Sequence, residues 1–311
     1  MRSAGGRFDA SAVVMVSAPF AGLASFALLK WVNFGTDPDT NARGGTAELG
    51  IWQYLVSINV MIWVLLAGLG LILLRQLTAE AGVRRGDDWQ PASRGETVRF
   101  VVFVLILTAV PLVIGGAAGM KNPYTIEGQN WKIPLLHAVA GVANVPLLVL
   151  LKRIHLIAVD DERWSTTARD IARLQLLRRT TRIATAALGG VIALAVVATG
   201  ALRQATAAAG LTPLPDGFVV VYGASFTAVV AAVYLYVFSA LESRGSRFLE
   251  AVAALPDPSV ERAAAFTAGR SLRTELSQEL ELNRDPRTDL QSLLAVLSPL
   301  IGALLTKLGG L

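Results

Sequence analysis

Residues 51–74 read IWQYLVSINVMIWVLLAGLGLILL, twenty-four consecutive positions without a charged side chain. A helix of about 20 predominantly apolar residues covers the hydrocarbon core of a bilayer, so this stretch is long enough to cross a membrane. Comparable runs lie on either side of it, at 11–29, 100–119, 133–151, 183–202 and 218–241. All 28 Lys and Arg residues and all 23 Asp and Glu residues fall outside these six windows. The expected fold is therefore an all-α integral membrane protein with six transmembrane helices.

Composition agrees with that reading. The 311-residue chain is 53% hydrophobic and 16% charged, against about 45–50% and about 25% in soluble proteins. A soluble domain would lack charged surface, and a disordered chain would need far less apolar content. Cysteine is absent, which removes disulfides, thiolate metal sites and cysteine nucleophiles. Only two histidines, His137 and His155, are present, so most histidine-based acid–base schemes lack their parts.

Basic residues set the orientation. The N-terminus, the connections 75–99 and 152–182 and the region from 242 hold 23 of the 28 Lys and Arg; the connections 30–50, 120–132 and 203–217 hold five. By the positive-inside rule both termini are expected in the cytoplasm. Trp31, Trp52, Trp131 and Phe100 lie at or beside the window ends, where aromatic rings favour the interface. The first run is followed by Lys30-Trp31 rather than a small-residue cleavage site, as expected of a retained signal anchor. Arginine outnumbers lysine 23 to five, a bias that points to a GC-rich bacterial genome and hence to the inner membrane, multi-pass.

In lipid, helices associate through close packing of small residues and a few hydrogen bonds. Suitable strips are Ser17, Ala21 and Ser25 in the first span, Gly115 and Gly119 in the third, and Ala186 with Gly190 and Gly189 with Ala193 in the fifth. The fourth span is the most polar: His137, Gly141 and Asn144 share one helical face, between Pro134 and Pro146. Asn59, Tyr222 and Ser225 are their candidate partners from other spans. His137 is the one ionisable residue of the acid–base type inside the windows and so a functional candidate, set against the plainer role of a neutral histidine hydrogen-bonded in the bundle.

The connections carry capping patterns. Ser93-x-x-Glu96 and Thr167-x-x-Asp170 each precede an apolar run, as at a helix start. Arg173, Arg178, Arg179 and Arg182 then approach the membrane surface and are candidates for anionic lipid head groups, besides serving as topological anchors. In the connection 30–50, Asp37, Asp39, Asn41 and Glu48 occupy acidic positions of a calcium loop, but Ala42 stands where the sharp turn needs glycine. A solvated acidic turn is the expectation there. Asp160-Asp161-Glu162 beside Arg163 is read in the same way.

Residues 1–241 form the expected transmembrane domain and 242–311 a small cytoplasmic helical region. Asp257-Pro258 and Asp285-Pro286 mark two helix starts. In the second helix Leu290, Leu294, Leu297, Ile301, Leu304 and Leu308 form a heptad-like seam, opposite Ala295, Ser298, Gly302, Thr306 and Gly309. Three arrangements are open: packing through the leucine seam, an interfacial amphipathic or membrane-associated helix, and insertion as a seventh span. The sequence contains no P-loop, G-x-S-x-G elbow, H-E-x-x-H helix or dinucleotide fingerprint. The leading expectation is a non-enzymatic membrane protein acting in assembly, sensing or signalling, with no cofactor and no nucleic-acid partner. It would associate with the bilayer and with further copies of itself through the small-residue faces or the Leu290–Leu308 seam. The alternatives are a permease or channel, including a membrane-permeabilising effector, and a lipid-modifying enzyme with Asp160, Asp161 and Arg173.

Overall fold

The computed structural model describes residues 10–31, 47–80, 92–117, 132–161, 164, 168–208, 215, 217–253, 263–280 and 286–308. Every regular element among them is a helix: α1 (Ala10–Trp31), α2 (Ala47–Glu80), α3 (Ala92–Ala117), α4 (Lys132–Val159), α5 (Ala168–Ala208), α6 (Phe218–Val252), α7 (Ala263–Glu279) and α8 (Pro286–Leu308). Segments within α2, α4, α5 and α6, namely Ala47–Ala79, Ala138–Val159, Ala168–Ala208 and Phe218–Val252, are long and apolar enough to cross a membrane. Val13–Leu29 and Leu293–Leu304 are shorter apolar helices. This is the architecture of a helical membrane protein.

The outer surface of the apolar segments carries large exposed hydrophobic side chains. Val16, Phe20 and Leu23 of α1, Val102, Phe103 and Ile106 of α3 and Val142 of α4 are exposed. So broad an apolar surface is untenable in water, whereas hydrocarbon solvates it. Polar side chains in the helices hydrogen-bond to their own backbone: Ser25 donates to Gly22 O at 2.9 Å, Ser57 to Gln53 O at 2.7 Å, Thr181 to Leu177 O at 2.8 Å and Thr199 to Ala195 O at 2.9 Å. Each hydroxyl thereby avoids an unpaired donor in a low-dielectric setting.

Small residues set the helix contacts. α1 lies on α2 with Gly22 against Ser57 O and Met61. Gly70 of α2 receives Pro146 of α4, where an added Cβ would lie 2.9 Å from the proline Cβ. On α5 the two small pairs behave differently. Ala186 and Gly190 are exposed, whereas Gly189 and Ala193 receive α8.

The largest core cluster lies toward the basic connections. It joins Leu147, Leu150, Leu151 and Ile154 of α4, Leu174 and Leu177 of α5, Val237, Leu241 and Phe248 of α6, and Leu280 after α7. It continues past the charge-free windows, because α5 begins fifteen residues before position 183 and α6 runs eleven residues beyond 241. A second cluster joins α1, α2 and α5 with Ala143 of α4, and a smaller one joins Val196, Val219, Tyr222, Phe226 and Ala303 of α5, α6 and α8.

Two helix starts follow the sequence signals, while α3 starts at Ala92, one residue before Ser93, and Asp257-Pro258 lies outside the described residues. α8 begins at Pro286 and α5 at Ala168, directly after Thr167; a proline at the first helical position gives up an amide that has no intrahelical acceptor. α8 lies in the groove between α5 and α6, and its small-residue side faces inward: Ala295 and Ser298 meet Gly189, Gly302 meets Ala193, and Pro299 and Ala303 meet Gly223. Leu293, Leu294, Ile301 and Leu304 are exposed. Of the described seam residues, Leu294, Ile301 and Leu304 therefore do not supply the contact between α8 and the rest of the chain, and Leu297 is half-buried.

Candidate functional site

The basic end of the bundle gathers the charged residues that the spans exclude. Lys152 follows the apolar run of α4 and is 7% exposed. Its Nζ donates to the Tyr236 hydroxyl of α6 at 2.7 Å and lies 3.7 Å from Glu96 Oε2 of α3. It also stands 5.3 Å from the Tyr236 ring centroid and 5.9 Å from that of Phe100. Aromatic faces attract a desolvated ammonium by about 2 kcal/mol or more, less than the several kcal/mol it costs to bury the ion, and the hydroxyl and carboxylate supply further partners. One turn further on, His155 stacks on Tyr236 with centroids 3.9 Å apart. Its Nδ1 lies 3.2 Å from the Tyr236 carbonyl oxygen. Because a carbonyl only accepts, Nδ1 carries the proton and Nε2 is the acceptor in the neutral ring.

A second cluster closes the end of α4. The last carbonyls of a helix have no intrahelical donors and carry the negative end of its dipole. The Trp164 indole donates to Ile157 O at 3.0 Å and Arg244 Nε of α6 donates to Ala158 O at 2.7 Å. Arg244 also pairs with Asp161 at 2.6 Å, as does Arg247 at 2.9 Å. The guanidinium groups of Arg244 and Arg173 lie 5.2 and 5.6 Å from the Trp164 ring centroid. Hydrogen bonding to Arg244 holds Asp161 below the ordinary carboxylate range, and the charge of Arg247 acts in the same direction.

α7 ends in a third cluster of the same design. Gln175 Nε2 donates to Glu279 O at 2.8 Å, and buried Arg178 donates to Leu280 O. Arg178 also faces Glu242 of α6 at 3.8 Å. A guanidinium and an amide from α5 thus complete the C-terminus of α7 as arginine does for α4.

The residues singled out from sequence are dispersed. Asn144 Nδ2 donates to Ala140 O of its own helix at 3.0 Å. Asn59 is buried on α2, and Tyr222 packs between Phe218 and Phe226 on α6. The His137 side chain lies outside the described residues, as do Asp37, Asp39 and Asn41; Glu48 is in the first turn of α2. Among the candidate head-group arginines, Arg178 is buried, Arg173 lies against Trp164 and Asp170, and Arg179 is exposed. The Lys152–Tyr236–His155 arrangement was not foreseen. Its one sequence signal is the pair Lys152 and His155, three residues apart directly after a charge-free run.

No protein-family model, curated protein or solved structure matches the chain.

Proposed function

We propose that this chain is a non-enzymatic bacterial inner-membrane protein that acts in assembly or sensing through the helices at its basic end. Orientation rests on the 23-to-five division of basic residues, which favours the cytoplasm for the connections 75–99 and 152–182. The observation that carries the functional reading is the attachment of α7 to α5 by Gln175 and Arg178. A helix beyond the apolar segments is thereby coupled to the bundle, so a partner gripping α7 would load α5, and a change in the bundle would move α7.

The test compares the full-length chain with Gln175→Ala/Arg178→Ala in membranes. Membrane insertion is expected to persist, α7 amides to exchange faster, and the native assembly on blue-native gels to be lost. Unchanged exchange in α7 together with an unchanged assembly defeats this reading.

A permease or channel is the second reading, favoured by a separate observation. Asn59 Oδ1, Asn144 Oδ1 and Thr185 Oγ1 are buried without a hydrogen-bond partner among the described residues. Buried polar atoms of this kind are costly in an apolar interior, and a permeating polar species would satisfy them. Flux through reconstituted protein that falls on Asn59→Ala and Asn144→Ala supports this reading over the first.

A further inference from the structure

We infer that α8 is a further membrane-crossing helix, so that its C-terminal end and the helix α7 lie on opposite sides of the membrane. Contacts along α8 fix its depth. Ala295 and Ser298 meet Gly189, Gly302 meets Ala193, and Leu300 N donates to Thr227 Oγ1 at 3.1 Å. Gly189 and Ala193 lie inside the charge-free window 183–202, and Gly223 and Thr227 inside 218–241. If those windows cross the membrane, a helix packed against their middles shares their depth.

Both ends follow from the helical rise of about 1.5 Å per residue. Pro286 precedes Ala295 by nine residues, which places it near the level of the window's start at 183 and close to the attachment of Leu280 to Arg178. Leu308 follows Ala303 by five residues, and Phe218 precedes Gly223 by five, so α8 ends level with the first residue of α6. Its 23 residues span about 34 Å, of which the charge-free 290–306 cover about 25 Å, against a hydrocarbon core of about 30 Å; the difference is of the size that a terminal lysine bridges by extending its side chain to the interface. Between Asp289 and Lys307 there are seventeen residues without a charge, the lower limit for a crossing.

Pro299 presents the one backbone defect in this passage, and the structure repairs it. Proline has no amide for the Ala295 carbonyl four residues earlier. Ser298 Oγ donates to that carbonyl at 2.8 Å, and the neighbouring Leu300 amide goes to Thr227. Satisfaction of such groups by nearby Ser and Thr is what makes proline tolerable at membrane depth. Leu293, Leu294, Ile301 and Leu304 face away from the protein, and at this depth lipid acyl chains cover them.

The chain has no native cysteine, so single cysteines report without background. Gln278→Cys on α7 and Leu308→Cys on α8 are introduced separately into the full-length chain and treated in intact cells with a membrane-impermeant maleimide, then again after permeabilisation. Accessibility from opposite sides is expected; labelling from the same side overturns the inference. This outcome does not depend on which side is cytoplasmic or on whether α7 takes part in assembly. A nitroxide at Leu304→Cys provides a second measurement. High access to oxygen with low access to a water-soluble nickel chelate is expected. High nickel access, or low access to both with a doubled particle mass from a second copy on the leucine face, defeats the assignment of acyl chains.

Discussion

Gly189 of α5 lies so close to Ala295 of α8 that a Cβ at position 189 would collide with the Ala295 carbonyl oxygen. One hydrogen atom in place of a side chain thus sets the distance between two helices. The adjacent Gly190 has open space around its Cβ position. The pair gives a direct test of where α8 sits.

Gly189→Ala is expected to push α8 out of its groove, at a cost of about 1–3 kcal/mol for an overpacked contact. Gly190→Ala should be neutral or slightly stabilising, since alanine is favoured over glycine in a helix by up to about 1 kcal/mol. Thermal unfolding of the two purified variants in the same detergent checks this. Equal midpoints would contradict the close approach.

The repair at Pro299 predicts that Thr227→Val destabilises the bundle by about 0.6–2 kcal/mol, the range for a hydrogen bond between helices in a membrane protein, and Ser298→Ala by about 1–3 kcal/mol, because the Ala295 carbonyl, which has no amide at Pro299, is then left unpaired. Ser225→Ala serves as a comparison, because that hydroxyl bonds to Val221 O in its own helix, a carbonyl with no proline four residues later. Its effect should be the smallest of the three in denaturant unfolding.

Lys152 and Tyr236 should behave as a unit. Tyr236→Phe removes the acceptor at 2.7 Å and leaves a buried ammonium short of a partner, at a cost of about 1.5–3 kcal/mol. Lys152→Met combined with Tyr236→Phe should cost less than the sum of the single changes, since neither group is then left unpaired. A double-mutant cycle on unfolding free energies measures the coupling, and additivity within about 0.3 kcal/mol would rule it out.

Asp161 predicts an acid-sensitive step. Its carboxyl is held below the ordinary value by Arg244 and then by Arg247, so it favours the folded state when ionised. That contribution is complete above the unfolded pKa of about 3.9 and disappears as pH falls through the lowered folded value. The stability difference between the native chain and Asp161→Asn should therefore be constant from pH 7 to 5 and shrink below about pH 4. Unfolding midpoints over that range check it, and a gap that persists at the acid end would exclude the carboxylate as its source.

The sequence by itself determined the class of the protein and the positions of its helices. Exclusion of every charge from six windows is legible without tertiary structure, because the cost of placing charge in hydrocarbon acts on each residue wherever its neighbours lie; helices long and apolar enough to cross a membrane cover four of them. Starts such as Pro286 and Ala168 were legible for the same reason, since a cap is a local arrangement. Tertiary structure decided which faces meet. Leucine gains little by leaving lipid for a protein interior, so the Leu290–Leu308 seam carried no information about direction, and the small face of α8 turned inward to Gly189, Ala193 and Gly223. The two small pairs of α5 are equivalent in sequence and differ only in which one receives a helix. The clusters at the basic end were hidden by separation along the chain: Lys152 meets Tyr236 84 residues away, and Arg178 meets Leu280 102 residues away. A buried cation must find its partners in whatever helix packs beside it, and that neighbour is chosen by the fold.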